Sequence, residues 1–183
     1  MMDDCIFTID LAKCTGCQTC RIACRDRAAT RDEIDLLRIE TEESGVFPNP
    51  ALTYRVVHCY HCAEPPCADV CPVEAISKDT HGWVLIDQET CTGCGACVVA
   101  CPFHAITLAD DSIAVKCDGC HEEVDWGWEP TCVRACPMRA LHFGTLPADI
   151  LRNRVADPCF DSHDIEPRVA YLRRKRAGEK EDL

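Results

Sequence analysis

Residues 91–102 read CTGCGACVVACP, in which three cysteines two residues apart precede a fourth cysteine and a proline. Residues 14–24, CTGCQTCRIAC, repeat the C-x2-C-x2-C-x3-C spacing, although Arg25 stands where the proline would follow. Three thiols so close in sequence suit a loop that curls around a cubane of iron and sulfide. A zinc site would instead take two close pairs of ligands from separate segments. The spacing therefore predicts [4Fe–4S] clusters rather than zinc.

The other cysteines extend this pattern to four groups, which use sixteen of the eighteen cysteines in the 183-residue chain. The groups are Cys14, Cys17, Cys20, Cys24; Cys59, Cys62, Cys67, Cys71; Cys91, Cys94, Cys97, Cys101; and Cys117, Cys120, Cys132, Cys136. We predict that these sixteen side chains are the iron ligands of four [4Fe–4S] clusters. The remaining two, Cys5 and Cys159, are predicted to be ordinary small side chains.

A second repeat, Cys-Pro-x-x-Ala, begins at the last cysteine of three groups, namely Cys71, Cys101 and Cys136. Proline suits the first turn of a helix, where its missing N–H costs nothing. A short β-type run ending in Ile-Asp precedes the cysteines at residues 7–20 and again at residues 84–97. The local unit is therefore predicted as strand, cysteine loop, short helix and return strand. We expect an α+β fold with short strands, short helices and many loops.

Crossed ligation predicts which groups belong together, because the fourth cysteine of such a run ligates the other cluster in two-cluster ferredoxins. The second group should pair with the third, which leaves the first to pair with the fourth. The predicted ligand sets are Cys14, Cys17, Cys20, Cys136; Cys117, Cys120, Cys132, Cys24; Cys59, Cys62, Cys67, Cys101; and Cys91, Cys94, Cys97, Cys71. One bacterial-ferredoxin-like module, residues 59–101, is thus expected to be inserted in another, residues 1–58 and 102–146.

The segments without clustered cysteines also carry secondary-structure signals. LLRIETEES and LTYRVVH read as strands around a turn at GVFPNP, which predicts a β-hairpin insert in the outer module. Residues 147–183 are predicted to contain a helix near PADILRNRV, a last strand at EPRVAYL and a charged tail. Arg173, Arg174, Lys175 and Arg176 form a basic cluster in that tail, expected to be solvated rather than a docking site.

The excess of acidic residues and the lack of long apolar segments limit the partners and the location that we expect. With 19 basic and 31 acidic residues the formal charge is −12. Each bound cluster with its four thiolates adds roughly −2, so the loaded chain carries about −20. Such a charge disfavours nucleic acid and anionic membranes as partners. No apolar run is long enough to span a membrane, and residues 1–13 lack the segments of a secretion signal, so a cytoplasmic location is expected.

Several other side chains near the cysteines allow two interpretations. His58, His61, His104 and His121 could tune cluster potentials or carry a proton with the electron, or they could simply pack. The packing interpretation is favoured. Trp83, Trp126 and Trp128 are predicted to fill the core or an interface.

Taken together, CTGCQTCRIAC, CYHCAEPPCADVCP, CTGCGACVVACP and KCDGC followed by TCVRACPMRALHFG resemble the four-cluster iron–sulfur subunits of the dimethyl sulfoxide reductase superfamily. The resemblance covers residues 5 to about 146, and its ligand pairing is the one given above. It implies a non-catalytic electron-transfer subunit. Its partners would be a large catalytic subunit, which holds a molybdenum or tungsten pterin, and a second redox protein.

Three other functions remain open. The chain could relay electrons for carbon monoxide dehydrogenase or hydrogenase, or it could be a freely diffusing polyferredoxin. An enzyme in its own right is disfavoured, because each predicted cluster has four cysteine ligands and no iron is left open for substrate. The sequence also contains no nucleotide-binding loop such as G-x-G-x-x-G.

Overall fold

The computed structural model describes residues 7–30, 34–109 and 112–175, and within them short strands alternate with short helices. The strands are β1 Phe7–Asp10, β2 Leu37–Val46, β3 Asn49–His58, β4 Ile76–Lys78, β5 Val84–Ile86, β6 Ile106–Leu108, β7 Ala114–Lys116, β8 Leu141–Phe143, β9 Arg154–Ala156 and β10 Val169–Arg174. The helices are α1 Thr19–Ala28, α2 Pro66–Asp69, α3 Ala96–Ala100, α4 His121–Asp125, α5 Thr131–Ala135 and α6 Ala148–Arg152. A small mixed fold of short elements was predicted, and it is confirmed.

The largest sheet has four strands in the order β8-β1-β10-β9. All four residues of β1 are buried, because neighbouring strands flank it on both sides. It runs antiparallel to β8 and parallel to β10, with Phe7 opposite Val169. The predicted last strand is thus confirmed as β10. Its parallel pairing with the first strand joins the two ends of the described chain.

The β-hairpin predicted around GVFPNP is confirmed as β2 and β3. Ten residue pairs run from Leu37 opposite His58 to Val46 opposite Asn49, and the turn contains a cis Phe47–Pro48 bond. The base of the hairpin is buried, whereas its tip projects into solvent. Two smaller hairpins, β4–β5 and β6–β7, follow along the chain.

The helices that carry cysteines pack in two pairs, α1 on α5 and α2 on α3. In three places the predicted return strand follows the Cys-Pro-x-x-Ala segment, as β4, β6 and β8. The first cysteine group departs from this unit. Helix α1 is ten residues long and is followed by the long hairpin, and β1 pairs with the distant strands β8 and β10. The predicted helix near PADILRNRV is confirmed as α6, while Arg176 lies outside the described residues.

Within the described ranges, every helix is too short or too polar to span a lipid bilayer.

Candidate metal centres

Each cysteine group begins with a loop whose third position has a left-handed backbone. In the segments CTGC, CYHC, CTGC and CDGC that position is Gly16, His61, Gly93 and Gly119, with φ of 67°, 47°, 67° and 71°. A left-handed residue turns the chain sharply, and glycine adopts this conformation at no steric cost. At Gly16 there is a second reason for glycine, because a Cβ would lie 2.6 Å from the ring of Tyr54 on β3. The hairpin therefore packs directly on the first cysteine loop.

The three Cys-Pro-x-x-Ala segments form matching turns, so the prediction that their prolines begin helices is wrong: the helices end before the last cysteine of each of these groups. The residue before each alanine, Glu74, His104 or Arg139, is left-handed, which turns the alanine N–H back toward the cysteine. The N–H groups of Ala75, Ala105 and Ala140 donate to the Sγ atoms of Cys71, Cys101 and Cys136, at 3.3, 3.5 and 3.3 Å. Hydrogen bonds to sulfur stabilise negative charge on a ligand and raise the potential of its cluster. The second repeat therefore encodes a sulfur-binding turn.

Cys24 differs in local structure from the last cysteines of the other groups, because Arg25 rather than proline follows it. Arg25 has a backbone N–H and lets helix α1 continue to Ala28, whereas α3 and α5 each end at the residue before the last cysteine of their group. Cys24 is consequently buried inside a helix that packs on α5.

Two cavities bring together cysteines from the second and third groups. One cavity is lined by Cys59, Cys62, Cys67 and Cys101, with Pro66, Phe103 and Ile106 among the neighbouring side chains. The other is lined by Cys71, Cys91, Cys94 and Cys97. We call them the Cys59 site and the Cys91 site. In both, three cysteines come from one group and the fourth from the other.

The thiols of the first and fourth groups also lie close enough to repel one another when charged. Burial raises the pKa of Cys20 to about 11, and Cys14 and Cys136 add to the rise. Burial likewise raises the pKa of Cys24 to about 12, with Cys120 as the next cause. We call these two places the Cys14 site and the Cys117 site. The first name stands for the predicted set Cys14, Cys17, Cys20 and Cys136, and the second for the predicted set Cys117, Cys120, Cys132 and Cys24.

At the Cys59 and Cys117 sites all four cysteines are buried, and thiolates there need a cationic core because burial and mutual repulsion both oppose their charge. In residues 7–30, 34–109 and 112–175, no three Cys, His, Asp or Glu side chains converge tightly enough for a single metal ion. None of the seventeen cysteines in these ranges forms a disulfide. Cysteines spread around a cavity fit a polynuclear iron–sulfur core.

Helix packing and the effects of the thiols on one another's pKa indicate which sites are neighbours. Helices α2 and α3 join the Cys91 site to the Cys59 site. Burial and Cys24 raise the pKa of Cys117 most, and Cys59 raises it next. Burial, Cys120 and Cys24 raise the pKa of Cys132 most, and Cys20 raises it next. The order is therefore Cys91 site, Cys59 site, Cys117 site and Cys14 site. Cys94 and Cys17, which belong to the two terminal sites, are exposed.

His58, the last residue of β3, and His61, in the loop that follows, are structural. His58 and His61 are fully buried, and burial lowers the pKa of His58 to about 4 and that of His61 as well. A ring nitrogen of His58 lies 2.7 Å from the carbonyl oxygen of Cys59, and Nδ1 of His61 accepts the N–H of Val84 at 3.0 Å. Both rings are neutral near pH 7, which agrees with the packing interpretation.

The tryptophans divide into core and surface. Trp83 is buried and stacks on Phe143 at 5.8 Å, so its assignment to the core is confirmed. Trp126 and Trp128 are 68% and 55% exposed on the loop between Cys120 and Cys132. Their rings contact each other at 6.2 Å, and the guanidinium of Arg134 lies 5.1 Å from the Trp128 ring.

Two residues important to these sites were not singled out from the sequence. Lys116 directly precedes Cys117 in the KCDGC segment and is buried. Arg27 binds both Asp118 and Glu123, which ties α1 to the fourth cysteine group. A basic residue beside a cluster cysteine was the available signal for Lys116, whereas nothing local marks Arg27. Of the two cysteines outside the groups, Cys159 is exposed and Cys5 lies outside the described residues.

Comparison with known proteins identifies related sequences. Residues 51–146 match a family model described as a 4Fe-4S dicluster domain, and residues 13–75 match a second model with the same description. The B subunit of the anaerobic dimethyl sulfoxide reductase of Escherichia coli is 39% identical over 177 residues, covering 89% of this protein and 85% of its own length. The corresponding B subunit of Haemophilus influenzae is 39% identical over 158 residues, covering 81% and 76%. The iron–sulfur subunit of the nitrate-inducible formate dehydrogenase of E. coli is 35% identical over 158 residues, covering 75% and 53%.

Proposed function

We propose that this protein, which belongs to the 4Fe-4S dicluster family that includes the B subunits of anaerobic dimethyl sulfoxide reductases, conducts electrons within an oxidoreductase complex. Its cofactors are four [4Fe–4S] clusters, and its function is electron transfer. The observation that carries the proposal is the row of four cysteine-lined sites, which has an exposed cysteine at each end.

The ligand sets proposed for the four clusters are the four sites described above. The cavity linings support the Cys59 and Cys91 sites, and the mutual effects of the thiols on their pKa values support the other two. The sixteen iron ligands would then be Cys14, Cys17, Cys20, Cys136; Cys117, Cys120, Cys132, Cys24; Cys59, Cys62, Cys67, Cys101; and Cys91, Cys94, Cys97, Cys71.

We further propose that the chain is organised as one ferredoxin-like module inserted in another. The inner module is residues 59–101, and the outer module is residues 1–58 and 102–146. Packing of α1 on α5, and of β1 beside β8, supports the outer module, and packing of α2 on α3 supports the inner one. Residues 147–183 would follow as a separate segment, although β10 lies in the same sheet as β1.

Each bound cluster supplies one-electron storage, so that an electron entering at one end can pass to the other in short steps. The protein holds the thiolates at fixed positions, donates backbone N–H groups to the sulfurs of Cys71, Cys101, Cys117 and Cys136, and keeps most of the ligands away from water. Cys17 and Cys94 mark the two surfaces where electrons would enter and leave. The chain itself is proposed to be non-catalytic.

The proposed partners are a large catalytic subunit with a molybdenum or tungsten pterin and a second redox protein. The names of the related proteins support this class of complex, since they are subunits of dimethyl sulfoxide reductase and formate dehydrogenase. The exposed Trp126–Trp128 pair supports a lasting contact, because apolar aromatic surface is costly to leave in water. The exclusion of nucleic acid and the cytoplasmic location stay predictions.

The first experiment is purification from the native host without oxygen, followed by metal analysis. We expect about sixteen irons per chain and a larger protein that contains molybdenum or tungsten. Nickel in that protein would instead indicate carbon monoxide dehydrogenase or hydrogenase. Recovery of the chain alone with full iron would contradict the fixed-subunit proposal, and zinc in place of iron would contradict the clusters.

A second experiment tests crossed ligation through the electron paramagnetic resonance (EPR) signals of the reduced clusters. Cys24→Ser and Cys117→Ser should alter the same signal, because both remove a ligand from the Cys117 site. Cys20→Ser should alter a different one, although Cys20 and Cys24 belong to one motif. Cys159→Ser is the matched control and should leave the iron content and all signals unchanged. If Cys24→Ser and Cys20→Ser alter one shared signal, the ligation is not crossed.

A further inference from the structure

Lys116 is a buried cation between two of the four sites. It is the last residue of β7, and only 7% of its surface is exposed. Its Nζ donates to the carbonyl oxygens of Val84 and, at 3.1 Å, of Cys117. Among the described residues, no carboxylate forms an ion pair with it. The two carbonyl groups accept from two of the three donors of the ammonium group, but they do not cancel its charge.

A buried charge without a counter-ion is costly, so the position needs a compensating anion. Two anionic groups are available if the ligand sets proposed above are correct. Val84, whose carbonyl oxygen accepts from Lys116, lines the Cys59 site, and Lys116 is adjacent in sequence to Cys117 of the Cys117 site. The ammonium therefore lies at the junction of these two sites.

We propose that Lys116 is the fixed positive charge that raises the reduction potentials of the two middle clusters. This inference rests on the proposed ligand sets. One-electron reduction adds a negative charge to a cluster, and a cation buried nearby stabilises the reduced form more than the oxidised form. The residue would thereby favour passage of the electron between the two halves of the row. Lys116 is a positioning and tuning residue and contributes no bond to iron.

The chain offers a matched comparison in Lys78, on β4. Its Nζ donates to the carbonyl oxygen of Ala63 at 2.7 Å, and Ala63 is adjacent in sequence to Cys62 of the Cys59 site. Lys78 is exposed, however, so water screens its charge. Both lysines therefore donate to backbone carbonyl oxygens, and they differ mainly in burial.

The test is an EPR-monitored redox titration of the iron-loaded chain, carried out on the wild type, Lys116→Met and Lys78→Met. Iron content and the number of cluster signals in the wild type are measured first, because they test the proposed clusters independently of Lys116. In Lys116→Met we expect the reduction equilibrium of at least one middle cluster to fall about tenfold, which is about 59 mV for one electron. In Lys78→Met the change should stay below about threefold.

Each outcome decides the proposal. Unchanged potentials in a fully loaded Lys116→Met chain would overturn it, and so would an equal shift in Lys78→Met. If Lys116→Met loses iron, Lys116→Arg tests whether the positive charge or the size of the lysine side chain is required. Retention of iron and of near-wild-type potentials in Lys116→Arg would support the need for positive charge. Loss of iron in Lys116→Arg as well would show that the lysine is needed for its shape, which refutes the proposal.

Discussion

Replacing Arg27 with methionine should weaken the contact that holds the first cysteine group beside the fourth. The guanidinium binds both carboxylate oxygens of Asp118 at 3.0 Å and one oxygen of Glu123 at 2.6 Å. Burial lowers the pKa of Arg27, but its hydrogen bonds and ion pair with Asp118 outweigh that effect and raise it overall. Because Arg27 lies in the same helix as Cys24, this ion pair positions Cys24 near Cys120.

The expected loss of stability depends on the hydrogen bonds that Asp118 and Glu123 keep in the variant. A hydrogen bond to a charged group contributes about 1.5–3 kcal/mol, and three are lost. Asp118 keeps the N–H of Cys120 at 2.9 Å, and Glu123 keeps Thr131 and Arg134. Asp118 is also more than one-third exposed, so water screens part of the interaction. We therefore expect a loss of about 3 kcal/mol rather than the larger sum of the three bonds.

The assay is the rate at which the visible absorbance of the clusters disappears in guanidinium chloride without oxygen. A rate is appropriate because loss of clusters makes unfolding irreversible. If half of the loss appears in the unfolding barrier, the rate should rise about tenfold.

The matched control is Arg21→Met, on the same helix. Arg21 pairs with Asp35 at 2.6 Å, and both side chains are partly exposed. Its replacement should cost less than about 1 kcal/mol and change the rate by less than about threefold. An equal acceleration in the two variants, or none in Arg27→Met, would refute the role assigned to the Arg27 ion pairs.

Three further substitutions test other features. Gly16→Ala should lower the iron content by about one cluster, because a Cβ would meet an aromatic ring of β3; Gly127→Ala, also at positive φ but in open space, should keep full iron. Tyr171→Phe should lower the thermal unfolding midpoint more than Tyr60→Phe. The Tyr171 hydroxyl is buried in the core and takes part in two hydrogen bonds of 2.7 Å. Removing it should lower the free energy of unfolding by about 1–3 kcal/mol. Trp128→Ala should reduce co-purification of the partner without changing iron content, and unchanged recovery would exclude this surface from the interface.

Local signals in the sequence were enough for the cofactors and for most of the short elements. Cysteine spacing predicted the [4Fe–4S] clusters, because ligands within one loop must match the size of the group that they surround. Turn-forming residues predicted the β2–β3 hairpin, and Cys-Pro-x-x-Ala predicted the strands β4, β6 and β8. In each case, neighbouring residues decide the backbone conformation. The ligand sets and the nested modules stay predictions, although the described sites agree with them.

Contacts between distant segments were decided by the tertiary structure alone. Nothing near residues 166–172 indicates that β10 lies parallel to β1, because strand order depends on which apolar faces need cover. The same holds for Lys116, whose burial depends on Val84 in another hairpin, and for Trp128, whose exposure depends on what packs against its loop. The sequence by itself determined what the chain binds. Packing determined the order of the sites, which cysteines reach the surface and which charges act between them.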